Sequence, residues 1–250
     1  MSITYLITWM MILLRTIGVI IQLPVLAGRA IPVTVQIGLC MCLATLLVGI
    51  VPSAQVPTTM WPLLVSAGGE VLVGLALGFV GRMSFAAVEM AGRIITGEIG
   101  LNASAALGVP EPSTEPLASL LSTLAIVLFF LFGGHLTMIS ALARSFNIVL
   151  AGHPGLTPAA GETMIRATSH LIEVGFRISA PFIAMNFLVT LAFSALGRVV
   201  PKLNPFVISF SVRLIAGFTL LGSSGALIAR YLYLEFNQTP TTMLQLIAGH

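Results

Sequence analysis

The chain has 250 residues, of which 57% are hydrophobic and only 8% charged, with a mean hydropathy of +1.06. A soluble domain carries about 25% charged residues, so an ordinary soluble fold is excluded. The net charge of +3 comes from eleven basic and eight acidic residues, with no Asp and a single lysine, Lys202. That excess is too small and too dispersed for a nucleic-acid surface or for a basic patch reading anionic lipid.

In chain order, hydropathy predicts six apolar segments, at about 3–23, 31–51, 63–87, 117–150, 171–196 and 206–234. A bilayer crossing needs roughly 20 helical residues. The first segment starts almost at once, from Ile3, with no basic stretch before it, and reads as a retained helix rather than a cleaved leader. It and the second segment each fit one crossing. Prolines mark the breaks that follow: Pro24 and Pro32, then Pro52, Pro57 and Pro62. The stretch from Gly92 to Pro116 is rich in Gly, Ala, Ser and Pro and holds Glu98, Glu111 and Glu115. It reads either as a surface loop or, preferably, as a broken helix and a loop lining a cavity, because irregular backbone at membrane depth is tolerated only there. The fourth segment is too long for one straight crossing and must tilt, break or extend. Pro181 should kink the fifth, and Pro201 and Pro205 frame the last. The fold class is all-α: a multi-helix membrane protein with kinked and broken helical hairpins.

Charges inside these runs are the most telling residues. Arg15, Glu70, Arg144, Arg177 and Arg213 all fall in apolar stretches. A lipid-facing Arg at a helix centre costs roughly 2.5–3.5 kcal/mol. Each therefore needs a polar partner, in its own bundle or in another subunit. Glu89/Arg93, Glu162/Arg166 and Glu173/Arg177 stand at i, i+4 with Glu on the favourable N-terminal side. They either stabilise their own helices or pair across subunits. Glu70 has no base one turn away, and glycines follow it at 74, 78 and 81. That small-residue face lets another backbone approach closely. It is open to packing within the chain against the first or second helix, to an inter-subunit seam, or to an ion-coupling role for Glu70.

Enzymatic and metal chemistry find little support. Cys40 and Cys42 have neither zinc nor redox spacing and are expected to be buried structural thiols. His135, His153, His170 and His250 share no ligand spacing with acids or thiols, and His135 is expected to be a hydrogen-bonded structural residue. No Ser/His/Asp set, HExxH or phosphate loop occurs. Gly217, Gly222 and Gly225 lie within an apolar helix, which suits packing rather than dinucleotide binding. No catalysis, cofactor or metal site is expected.

Taken in order, several local patterns resemble one family. They are Arg15, Pro24 and Ile31-Pro32; Glu70 with its glycines through Gly78; Gly92, Gly97 and Gly100, leading to Pro110 and Pro112; Gly134-His135; Ser145-Phe146 with Pro154-Gly155; Ala180-Pro181; and Leu196-Gly197-Arg198-x2-Pro201-x-Leu203-Asn204-x-Phe206 with Arg213 beyond. Over nearly the whole chain this looks like the FliR family of flagellar export-gate proteins, whose virulence type III secretion counterparts share the layout. The sequence departs from that pattern at Val109, where an acidic residue often precedes the proline, and at Glu98, where an amide is frequent.

The resemblance implies a single export-gate membrane domain over 1–250, with about 1–170 FliP-like and about 171–250 FliQ-like. It implies a helical complex, partly raised out of the bilayer, with FliP-like and FliQ-like subunits and an FlhB-like switch subunit. Such a complex lies in the bacterial inner membrane at the flagellar basal body and admits unfolded export substrates. A loop at Gly108, Val109, Pro110, Glu111, Pro112 and Ser113 would plug the pore, with Gly97 and Gly100 as hinges. Arg15, Glu70, Arg82, Glu89, Arg93, Arg198, Asn204 and Arg213 would be neutralised by inter-subunit or intrachain contacts. The other readings are a virulence-system counterpart and an ion-coupled secondary transporter.

Overall fold

The structure is a computed structural model describing residues 3–27, 31–52, 59–101, 115–153, 155, 159–199 and 205–248. Among these residues every regular element is helical. The helices are α1 (Ile3–Gln22), α2 (Pro24–Ala27), α3 (Val33–Leu47), α4 (Met60–Ile99), α5 (Pro116–Leu131), α6 (Gly134–Ile148), α7 (Ala159–Val199) and α8 (Pro205–Ala248).

Proline fixes many of these boundaries. Pro24, Pro116 and Pro205 each occupy the first helical position, where the missing N–H has no helical partner to lose. Pro32 precedes α3 with φ −58° and ψ 142°, an extended geometry that delays the helix start. As a result α3 has only 15 residues, about 22 Å at 1.5 Å per residue, and falls short of the roughly 30 Å hydrocarbon core. The expected full second crossing is thus a shorter apolar helix. Pro62 does not break the chain, because it sits in the first turn of α4.

Among the described residues four helices are long and apolar enough to cross a membrane: α1, α4, α7 and α8. The over-long fourth segment resolves into α5 and α6, bent by 69° at their junction. Gly133 supplies the break, with φ +72°. Gly134 follows because a Cβ there would lie 2.5 Å from the Phe129 ring. The last two segments run well beyond their predicted ends. α7 begins at Ala159, where Glu162 and Arg166 pair one turn apart in a polar but helical stretch. It continues through Pro181, and α8 continues through Pro240. Each proline removes one i→i−4 hydrogen bond without ending its helix.

The chain forms two compact units. One comprises residues 1–84, 129–169 and 235–250, the other 85–128 and 170–234, so α4, α5, α7 and α8 each contribute to both. In the first, Trp9 Nε1 donates to Thr45 Oγ1 (3.1 Å), tying α1 to α3. Gln36 Nε2 donates to the carbonyls of Leu26 and Ile31, closing the turn before α3. Phe129 stacks edge-on against Phe236, and Ser84 and Thr239 share a 2.7 Å hydrogen bond, so the far end of α8 is sealed into this unit along with buried Met243, Leu246 and Ile247. Cys40 is buried but Cys42 is exposed, which corrects the expectation of two buried thiols. Positions i and i+2 point to nearly opposite sides of a helix, and α3 has only one packed side.

The second unit is built on close backbone contacts. A Cβ on Gly92 would lie 2.5 Å from Ala118 Cα, and one on Gly217 would lie 2.5 Å from Ile99 Cγ1. Gly175 packs on Ala87 and Met90. Gly100 ends α4 with φ +88°, beside the Phe210 ring.

Candidate functional site

Arg15 is the largest fully buried side chain among the described residues. It lies on α1 among buried Met11, Ile12 and Val19, one helical face that positions it toward α4. Its Nε donates to Glu70 Oε2 at 2.6 Å, its Nη1 to Ser145 Oγ at 3.1 Å and its Nη2 to the Val149 carbonyl at 3.0 Å. The guanidinium also stacks 4.0 Å above the Phe146 ring centroid. The second Glu70 oxygen accepts the Gly152 N–H at 2.9 Å, in a turn where Gly152 has φ +87°. Both charged side chains have 0% exposure. Val149 follows the last turn of α6, so a cation there also meets the negative end of that helix.

Glycines make this pair possible. A Cβ on Gly74 would collide with the Arg15 carbonyl oxygen. One on Gly18 would lie 2.8 Å from Leu75 N, and one on Gly78 2.8 Å from Val19 O. The glycine face beside Glu70 therefore packs α4 directly on α1 within the chain, not across a subunit seam, and Gly81 meets Leu23 and Met138. Residues 55 and 130 positions apart meet at Arg15. No local spacing signals such a partnership. The only hint in the sequence was that Ser145-Phe146 belonged to the same family pattern as Arg15.

The second unit has a looser polar chain. Asn186 Nδ2 on α7 donates to Glu98 Oε2 on α4. One turn on, Thr190 Oγ1 donates to the Asn186 carbonyl at 2.7 Å and accepts from Arg213 Nη2 on α8 at 3.2 Å. Arg213 Nε is buried with no hydrogen-bond partner among the described residues. Asn186 and Thr190 were not among the expected contacts. Their i, i+4 spacing on α7 was the available signal.

The remaining expected residues are dispersed. Glu89 and Arg93 pair at 2.7 Å on the exposed side of α4, and Glu162/Arg166 and Glu173/Arg177 pair likewise within α7. Arg82 reaches Gln22 Oε1 at 3.5 Å, and Arg198 is exposed. Gly97 lies inside α4 with open space where a Cβ would stand. The positions Gly108, Val109, Pro110, Glu111, Pro112, Ser113 and Asn204 lie outside the described residues. His135 departs from its expectation: its ring packs against Phe129 and Phe130, and its buried Nδ1 has no hydrogen-bond partner among the described residues. Among those residues no group of three or more His, Cys, Asp or Glu is placed to hold a metal ion.

The family described as "Bacterial export proteins, family 1" matches residues 6–239, which takes in the Arg15–Glu70 pair, the Ser145 turn and Arg213. The chain belongs to this family. It is 33% identical over 220 residues to the flagellar biosynthetic protein FliR of Escherichia coli strain K12, covering 88% of this chain and 84% of that protein. It is 25% identical over 249 residues to FliR of Bacillus subtilis strain 168, covering 96% and 94%. It is 28% identical over 214 residues to the Yop proteins translocation protein T of Yersinia pestis, covering 83% and 82%. With its apolar spans, this FliR-family chain is an inner-membrane protein of flagellar export.

Proposed function

We propose that the chain is a non-enzymatic subunit of the flagellar type III protein export gate, helping to form and plug the pore that admits unfolded substrates. Its neighbours are FliP-like and FliQ-like subunits and an FlhB-like switch subunit, with about 1–170 FliP-like and about 171–250 FliQ-like. The carrying observation is the export-family match across 6–239, which spans α1 through most of α8. A second feature agrees with an assembled state. The most apolar windows of α7 and α8 are each only 17% buried, against 44% for α1. Long helices left this bare have surface to give to lipid or to other subunits.

The plug is assigned to Gly108–Ser113, with Gly97 and Gly100 as hinges. Support comes from the end of α4: Gly100 already holds a left-handed φ that other residues seldom adopt. Shortening residues 108–116 in the assembled complex should raise ion leakage across the membrane. Unchanged leakage would remove the plug from this reading.

An ion-coupled transporter using Glu70 fares worse. Both carboxylate oxygens are engaged, by Arg15 and by the Gly152 N–H, and the side chain is sealed from solvent.

A further inference from the structure

We infer that Asn186 on α7 and Gly217 on α8 are positioning residues for the gate: together they hold the last turn of α4, the stem that leads into the plug stretch, in its resting place. The inference rests on the plug reading above and names what regulates that same stretch.

Contacts from two helices meet at this turn, all within the second unit. The Asn186 side-chain amide donates to Glu98 Oε2. One residue on, Ile99 is fully buried and seated in the notch that Gly217 leaves, where a Cβ would come within 2.5 Å of Ile99 Cγ1. Gly100 then turns the chain with φ +88° against the Phe210 ring. Thr190, one turn after Asn186, accepts from Arg213 Nη2, so α7 is tied to α4 on one side and to α8 on the other. Successive residues at the end of α4 thus each meet α7 or α8, and by different chemistry.

The two stems of the plug stretch are held differently. On the far side, Ala118 of α5 packs against Gly92, which belongs to α4 itself. On the near side, α4 ends on groups that α7 and α8 supply. Gly97, in the same turn, is exposed, and no described atom lies within 4 Å of where its Cβ would stand. The anchoring is therefore one-sided. The hydrogen bond fixes where Glu98 points, and the glycine notch fixes how closely α4 approaches α8. Packed contacts of this kind are made or lost as a whole rather than stretched, so losing either one should displace the stem.

The test uses the full chain in the assembled complex, with assembly followed by co-purification of the other export subunits and the barrier followed by ion leakage. Asn186→Leu and Asn186→Asp both remove the donor. Each should raise leakage about tenfold at native assembly, the change in an equilibrium that loss of one such hydrogen bond brings. Combining Asn186→Asp with Glu98→Gln exchanges amide and acid between the helices and should restore the barrier. Gly217→Ala pushes on Ile99 and should leak likewise, whereas Gly222→Ala, on the same helix with nothing within 4 Å, should not. If the Asn186 variants do not assemble, Gly217→Ala against Gly222→Ala decides. A native barrier in Asn186→Leu, Asn186→Asp and Gly217→Ala, beside a leaking 108–116 deletion, overturns the inference. So does loss of assembly in all three, which would make the contacts structural only. Should the 108–116 deletion itself leave leakage unchanged, the plug reading fails, which is a different result.

Discussion

Arg15 and Arg213 are both guanidiniums in apolar helices, and the chain treats them in opposite ways. Arg15 has an acid, a hydroxyl, a carbonyl and an aromatic ring around it, and none of its surface is exposed. Arg213 has, among the described residues, one threonine hydroxyl, in a region whose apolar windows are 17% buried. The first pattern is a charge whose neutralisation is finished when the chain folds. The second is a charge to which the described residues bring no carboxylate. A misplaced charge in a membrane sequence therefore does not by itself mean a partner subunit. What matters is whether the fold has already supplied its counter-ion.

The largest test of this contrast is Arg15→Ala. It leaves the buried Glu70 without its counter-ion, and breaking a buried pair from one side typically costs about 3–5 kcal/mol. Melting of the purified chain in detergent should show that loss without any partner present. The exchange Arg15→Glu with Glu70→Arg should not repair it. A carboxylate at 15 would face the Val149 carbonyl, and an arginine at 70 would face the Gly152 N–H. Full rescue by the exchange would show that the node is only a charge pair and not a set of directed hydrogen bonds.

The glycine face beside Glu70 gives the next largest effect. Gly74→Val places a branched side chain against the Arg15 carbonyl and should destabilise by about 1–3 kcal/mol or more, because two backbones must separate. Gly68→Ala, six residues earlier on the same helix, meets nothing within 4 Å. It should stabilise by about 0.5–1 kcal/mol through helix propensity alone. Equal effects at the two positions would mean that α1 and α4 are not in the contact described.

These examples also show how far the sequence could be read. The helical class, the breaks at Pro24 and Pro32 and the bend in the fourth segment follow from hydropathy and from what proline and glycine permit. Glu70 and its glycines stood out because their spacing is local. Their partner did not, since Arg15 is 55 residues away and Ser145 another 75 beyond Glu70. The far half of α8 was hidden for a different reason. Glu235, Asn237, Gln238 and Pro240 look like a helix end, yet burial of Met243, Leu246 and Ile247 repays the lost backbone bond at Pro240. The bare surface of α7 and α8 is a property of packing, and no periodicity in either helix announces it.

The last pair of variants, which includes the smallest expected effect, separates the two arginines most directly by removing one hydroxyl from each. Ser145→Ala deprives the buried Arg15 Nη1 of its acceptor, and hydrogen bonds to charged groups are worth about 1.5–3 kcal/mol when water cannot replace them. Thr190→Val removes the hydroxyl that Arg213 uses, at an exposed site where water or a partner group can substitute, so its cost to the isolated chain should be about 0.5 kcal/mol or less. Thermal melting of the two variants in the same detergent measures the difference. A Thr190→Val loss as large as that of Ser145→Ala would mean that Arg213, too, is a group the fold has already sealed, and the distinction between a closed and an open arginine would disappear.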